Sequence, residues 1–200
     1  MKKAIKWILI LVGCGLLLYG VFFIYSILTF RFLDDGKFYS KQELIDNYNK
    51  RSKQIAELKS YINKIVPANK KVDIEFDGEK QLSIFHVIEN DTNDNNWDLK
   101  ISSNKVDTLL IKLGWTYETL ATLKAKLDAA NCISVQNGEP CNIGFQRSGM
   151  GKFFYNIFEK PIPDSLQIKY NDSCTYILYT DKVVLEYGGG AIGPQCFPTK

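Results

Sequence analysis

Val72-Asp73-Ile74-Glu75-Phe76-Asp77-Gly78-Glu79-Lys80-Gln81-Leu82-Ser83-Ile84-Phe85-His86-Val87-Ile88 is the stretch on which the fold class turns. Val72, Ile74 and Phe76 alternate with acids, a period of two that an extended strand sets on one face. Asp77-Gly78-Glu79-Lys80 supplies turn residues, and Leu82, Ile84, His86 and Ile88 follow at the same period. Two such runs around a short turn predict an antiparallel hairpin, with that second set on its buried face. His86, the sole histidine, then reads as a hydrogen-bonded core or near-core residue. The sequence sets no carboxylate or nucleophile beside it for acid–base work.

Upstream of the hairpin, Ser40-Lys41-Gln42-Glu43 has the pattern of a capping box. Leu44, Tyr48, Ile55, Leu58, Ile62 and Ile65 then recur in steps of three and four, with Arg51 in the one polar slot. This predicts one amphipathic helix ending before Pro67 and packing on the sheet. Downstream, Glu89 to Asp98 reads as a polar loop. Two helices follow, from about Val106 to Leu113 with Gly114 as stop, and from about Tyr117 to Ala130 with Thr116 as cap. Strands are expected at Cys132–Val135, Cys141–Gln146, Phe153–Phe158, Leu166–Tyr170, Cys174–Tyr179 and Val183–Tyr187. Asn137-Gly138, Ser148-Gly149 and Asp181-Lys182 provide turns between them.

The N-terminal end is of another kind. From Trp7 to Phe30 a run of 24 residues carries no charge, and 15 of them are Leu, Ile, Val or Phe. A helix of that length spans about 36 Å, more than the roughly 30 Å of a hydrocarbon core. Within the run, Leu11-Val12-Gly13-Cys14 resembles the lipobox of bacterial lipoproteins, which implies a lipidated Cys14. Only six apolar residues precede it, however, and sixteen mostly apolar ones follow where that pattern has a polar linker. The expectation is a membrane contact through residues 7–30 as a spanning helix, with Cys14 inside it. Lys2, Lys3 and Lys6 crowd its N-terminal side, which places residues 31 to 200 outside the cytoplasm. The fold class is therefore α+β: an N-terminal transmembrane helix, a long amphipathic helix, then an antiparallel sheet with a short two-helix insertion. In domain terms these are an anchor (1–33), a connecting helix (34–66) and an extracytoplasmic domain (67–200).

Among the five cysteines, Cys132, Cys141, Cys174 and Cys196 form an even set beyond the anchor. In an oxidising compartment they predict two disulfides, most simply Cys132–Cys141 and Cys174–Cys196. No Cys-x-x-Cys spacing exists, so no zinc site is expected. Asp91-Thr92-Asn93-Asp94-Asn95-Asn96 echoes a calcium loop, but Ser102 stands where the bidentate Glu belongs, which makes it a solvated loop. Arg147-Ser148-Gly149-Met150-Gly151-Lys152 lacks the first Gly of a P-loop, and Phe153 replaces its Ser or Thr. Gly188-Gly189-Gly190-Ala191-Ile192-Gly193 has too little chain after it to present a helix to a phosphate. Lys124 and Lys126, which would serve a winged helix-turn-helix, are offset by Glu118 and Asp128. Residues 31 to 200 hold 22 charges of each sign, so no nucleic-acid partner is expected.

No Gly-x-Ser-x-Gly, His-Glu-x-x-His or carboxylate-pair signature appears, so no catalytic, cofactor or metal residue is assigned. These features predict a single-pass, membrane-anchored extracytoplasmic protein that binds a protein or small-ligand partner. The competing expectation is a membrane-tethered hydrolase-type enzyme whose carboxylates are gathered only by the fold. A cleft with clustered carboxylates favours the enzyme; an aromatic sheet face favours binding.

Overall fold

The computed structural model describes residues 13, 15–26, 39–90, 92–148, 151–189 and 193–198. The chain forms two compact units, Met1–Lys37 and Phe38–Lys200. In the first, residues 15–26 are helical (α1) and Leu16, Phe22 and Ile24 lie exposed along it. Among the described residues no helix is long and apolar enough to cross a membrane. The rest of the Trp7–Phe30 run, Cys14 included, lies outside them.

In the second unit, Ser40 closes the predicted capping box with Glu43 and opens α2, Lys41–Ile65. Leu44, Ile55, Leu58 and Ile62 are its buried stripe. Arg51 leaves helical geometry at φ −129° and kinks the helix, and its Nη1 donates to Ala129 O at 2.6 Å. The polar slot in the stripe is thus an anchor to another helix. Trp115 donates from Nε1 to Ile65 O at 2.9 Å and pins the far end.

Nine strands form one sheet in which every neighbouring pair is antiparallel: β1 (Lys70–Asp77), β2 (Gln81–Glu89), β3 (Thr92–Asp94), β4 (Trp97–Lys100), β5 (Ser134–Gln136), β6 (Cys141–Ser148), β7 (Gly151–Ile157), β8 (Tyr176–Thr180) and β9 (Val183–Gly188). The order across the sheet is β3-β2-β1-β5-β6-β7-β9-β8, with β4 also on β2. Two helices, α3 (Asn104–Leu113) and α4 (Tyr117–Ala130), are inserted between β4 and β5. Gly114 ends α3 at φ +67°, a conformation glycine adopts without strain, and Thr116 caps α4. One sheet face meets the helices: Phe85 stacks on Trp115, and Tyr155 donates to Leu44 O at 2.8 Å.

Three sequence expectations need correction. The hairpin forms, but its second strand has the opposite phase beyond Leu82. Phe76 pairs with Leu82 while Glu75 pairs with Ile84, so Ser83 is an extra residue in β2. A bulge of one residue flips every later side chain to the other face. Leu82, Phe85 and Val87 are therefore buried against the helices, and Ile84, His86 and Ile88 are only partly buried on the opposite side. The expected loop from Glu89 to Asp98 carries β3 and the start of β4, both on the edge of β2. Asp91 lies outside the described residues. Asp94 accepts from Lys105 and Asn96 instead of presenting oxygens to a cation. The expected strand at Leu166–Tyr170 is α5 (Asp164–Gln167) followed by a 3-10 turn, Lys169–Asn171. Ile168 is 84% exposed, so the alternation does not bury a strand face here: local bonds to Pro163 O set the helical turn, and Tyr170 packs on Phe158 and Tyr176.

The cysteines divide. Cys174 and Cys196 are bridged, and Phe197 N donates to Cys174 O beside the bridge. Cys132 and Cys141 are free and buried. The β5–β6 pairing of Ser134 with Gly144 and Gln136 with Asn142 carries Cys141 opposite residue 137. That is five residues from Cys132, about 16 Å of strand and far beyond disulfide reach. Burial raises both thiols, Cys141 to about 12, so neither ionises readily. Alkylation without reductant should label neither in the folded domain and both after denaturation, with Cys174 and Cys196 unlabelled throughout. Labelling of all four in the denatured chain would refute the bridge; labelling of none would restore the second one.

Candidate functional site

The sheet face opposite the helices positions the site. Cross-strand pairs line up as rows, and one row reads His86, Asp73, Gln136, Asn142, Asn156 and Val184. The adjacent row reads Ile84, Glu75, Ser134, Gly144, Phe154 and Glu186. Beyond it Arg147 of β6 faces Lys152 of β7. A polar and charged band thus crosses five neighbouring strands, β1 to β9 through β5, β6 and β7. At its β8 end the band gives way to a small apolar cluster of Phe158, Ile162 and Val184.

Glu75 is the fixed point of this band. It is 1% exposed, accepting from Arg147 Nε at 2.7 Å on one oxygen and from Lys152 Nζ at 2.7 Å on the other. Lys152, itself 6% exposed, also donates to Ser134 Oγ at 2.9 Å and lies 4.6 Å from the Phe154 ring centroid. Gly144 makes room for that lysine stem. A β-carbon there would overlap Ser134 Oγ and stand 3.1 Å from Lys152 Cε. In the neighbouring row, Asn142 Nδ2 donates to Asn156 Oδ1 at 3.0 Å, and Asn156 Nδ2 to Glu186 Oε2 at 2.7 Å.

Above these residues is a cavity of about 250 Å³. Asp73, Ile84, Asn142, Arg147, Phe154 and Glu186 are among its walls. Burial raises the Asp73 carboxyl above the ordinary range, partly offset by Lys152 and His86 and reinforced by Glu75. Burial likewise raises Glu186, against the Asn156 hydrogen bond and Lys152. The two other depressions lack this convergence. The groove along α4 by Phe76 and Tyr117 holds Lys124, which Asp128 and Glu79 already engage. The hollow at Lys59 has its ammonium bridged to Glu159 at 2.9 Å.

The arrangement limits the chemistry. Ser134 and Lys152 have the types and separation of a Ser–Lys pair, but Lys152 Nζ is also hydrogen-bonded to Glu75, and Ser134 is 2% exposed, away from a substrate. Glu75 is likewise closed to a substrate. A hydrolase with paired carboxylates would draw on Asp73 and Glu186, which line the same cavity from β1 and β9, four strand spacings or about 19 Å apart in backbone.

No protein-family model, curated protein or solved structure matches the chain.

His86 stands at the border of the site rather than in the core. Its ring meets Trp97 edge-on at 4.8 Å, and its buried Nε2 has no hydrogen-bond partner among the described residues, against the hydrogen-bonded histidine expected from the sequence. Arg147 and Lys152 were conspicuous in sequence only as the ends of a glycine cluster whose residues 149 and 150 lie outside the described residues. In the second glycine cluster Gly189 N donates to Gly193 O, and residues 190–192 lie outside the described residues. Asp73, Glu75, Gln136, Asn142 and Glu186 were missed. For all but Gln136, which lies between Val135 and Asn137, the one signal was a polar residue between two apolar ones, the mark of any solvent-facing strand position.

Asp73 yields a prediction. Its raised carboxyl opposes folding once ionised, a cost absent at acid pH and full above its folded value. Asp73→Asn should therefore stabilise the protein by on the order of 1 kcal/mol at pH 7, about 2–4 °C in Tm. That gain should vanish as pH falls through the ordinary carboxyl range. A gain that grows on acidification would show the opposite shift.

Proposed function

We propose that the protein is a single-pass, membrane-anchored binding module whose folded unit lies outside the cytoplasm and takes a small polar ligand on the sheet face opposite its helices. The observation that carries the reading is the locked Glu75–Arg147–Lys152 cluster under a polar cavity. A buried polar network of this kind fixes donors and acceptors before a ligand arrives, as recognition requires. The uncharged run from Trp7 to Phe30 supports the anchor, and the Cys174–Cys196 bridge supports an oxidising compartment.

The test is a thermal-shift panel on the full chain in detergent micelles, with sugars, amino acids, carboxylic acids and nucleosides. At least one class should raise Tm in a saturable manner, and Asn142→Ala should weaken that response. No response from any class, or an equal response from the variant, contradicts the proposed site. A responding compound that is consumed during incubation would establish the hydrolase alternative. For the anchor, the chain should stay in the membrane pellet through carbonate extraction; release by carbonate would exclude a spanning helix.

A further inference from the structure

Charge is not spread evenly over the cavity wall. Arg147 and Lys152 both hydrogen-bond Glu75, two cations on one carboxylate, so that corner keeps one positive charge in excess. Arg147 uses its Nε there, lines the cavity and has a side chain 45% exposed, and its two terminal nitrogens make no hydrogen bond among the described residues. Asp73 stands two residues from Glu75 on the same strand, about 6.6 Å away along it. No cation hydrogen-bonds Asp73 among the described residues. A cationic corner and a carboxylate without a hydrogen-bonded cation thus line one small cavity.

We propose that the ligand is a small zwitterion of the α-amino-acid type, its carboxylate on the Arg147 fork and its ammonium on Asp73. This deepens the reading of the sheet face as a ligand site and rests on it. In such a molecule ammonium and carboxylate hang from one carbon, so both poles can be met within a single cavity of about 250 Å³ that Arg147 and Asp73 line together. A planar guanidinium grips a carboxylate through two parallel bonds, which a lysine in its place does not reproduce. Asn142, on β6 with Arg147, also lines the cavity and offers its amide oxygen to a polar ligand side chain. A single anion would leave Asp73 unpaired beside it, and a single cation would face the Arg147 corner, so each alone meets repulsion.

Calorimetric titration of the full chain in detergent micelles tests this with five probes: L-alanine, L-glutamine, N-acetyl-L-alanine, L-alaninamide and D-glucose. At least one free amino acid should bind with one-to-one stoichiometry. Acetylation, which removes the ammonium, and amidation, which removes the carboxylate, should each weaken alanine-type binding tenfold or more. Arg147→Lys should reduce the discrimination against the amide to under threefold, and Asp73→Asn should do so for the acetylated form. The wild-type comparison stands without the variants if either fails to fold. Binding of glucose without either amino acid overturns the ligand class and leaves the sheet-face site in place. Equal binding of the free, acetylated and amidated forms overturns the two-pole arrangement, and so does silence from all five probes. Silence across the wider panel as well would remove the site itself.

Discussion

Glu75→Leu is expected to cost about 3–5 kcal/mol of stability, because it strands Lys152 in the sheet with only Ser134 Oγ to accept from it. Lys152 is 6% exposed, so water cannot replace the lost carboxylate. Arg147, half exposed, can swing outward and contributes less to the loss. The pairing logic gives a second expectation. Glu75→Leu/Lys152→Met removes both buried charges, and a buried ion pair exchanged for apolar groups of similar size is often close to neutral. The double variant should therefore recover most of what the single one loses, read from urea midpoints at unchanged slope. A single-variant loss below about 1 kcal/mol, or a double variant worse than the single, would mean that Lys152 is not held as described.

Gly144→Val should be nearly as damaging, about 3 kcal/mol, for a steric rather than an electrostatic reason. The first added atom overlaps Ser134 Oγ, and the branches enter the space of the Lys152 stem. Gly144→Ala separates the two effects. The alanine methyl meets Ser134 Oγ, a fixed obstacle, and Lys152 Cε at 3.1 Å, a flexible one that can give way. Ser134→Ala combined with Gly144→Ala should accordingly restore part of the stability that Gly144→Ala loses, although Ser134→Ala alone removes a hydrogen bond from Lys152. Strict additivity of the two substitutions would contradict the packing of Gly144 beneath the lysine.

How far the sequence reached depends on what each signal was made of. The two ends of α2, the cap of α4 and the stop at Gly114 follow from short-range chemistry, and all four are where the sequence places them. Strand existence was legible for the same reason, since alternation at β1, β6, β7 and β9 is local. Facing was not. One extra residue at Ser83 reversed β2, and nothing in a period-two pattern reveals a bulge that is settled by the partner strand. Pairing order was not legible either. Glu75, Ser134, Gly144 and Lys152 meet only because β1, β5, β6 and β7 lie side by side across 77 residues of chain. The Cys132–Cys141 expectation failed on the same point, because closeness in sequence predicted a bridge that the β5–β6 register forbids.

The central claim is that the sheet face opposite the helices receives a ligand. Amide-resolved NMR of the full chain in detergent micelles, titrated with the same panel of sugars, amino acids, carboxylic acids and nucleosides, tests it most directly. The predicted result is saturable shifts centred on Gly144 and its row neighbours Ser134 and Phe154, extending to Asp73, Arg147 and Lys152. Shifts confined to the α4 groove around Tyr117 and Lys124, or no saturable shift from any compound, would contradict it.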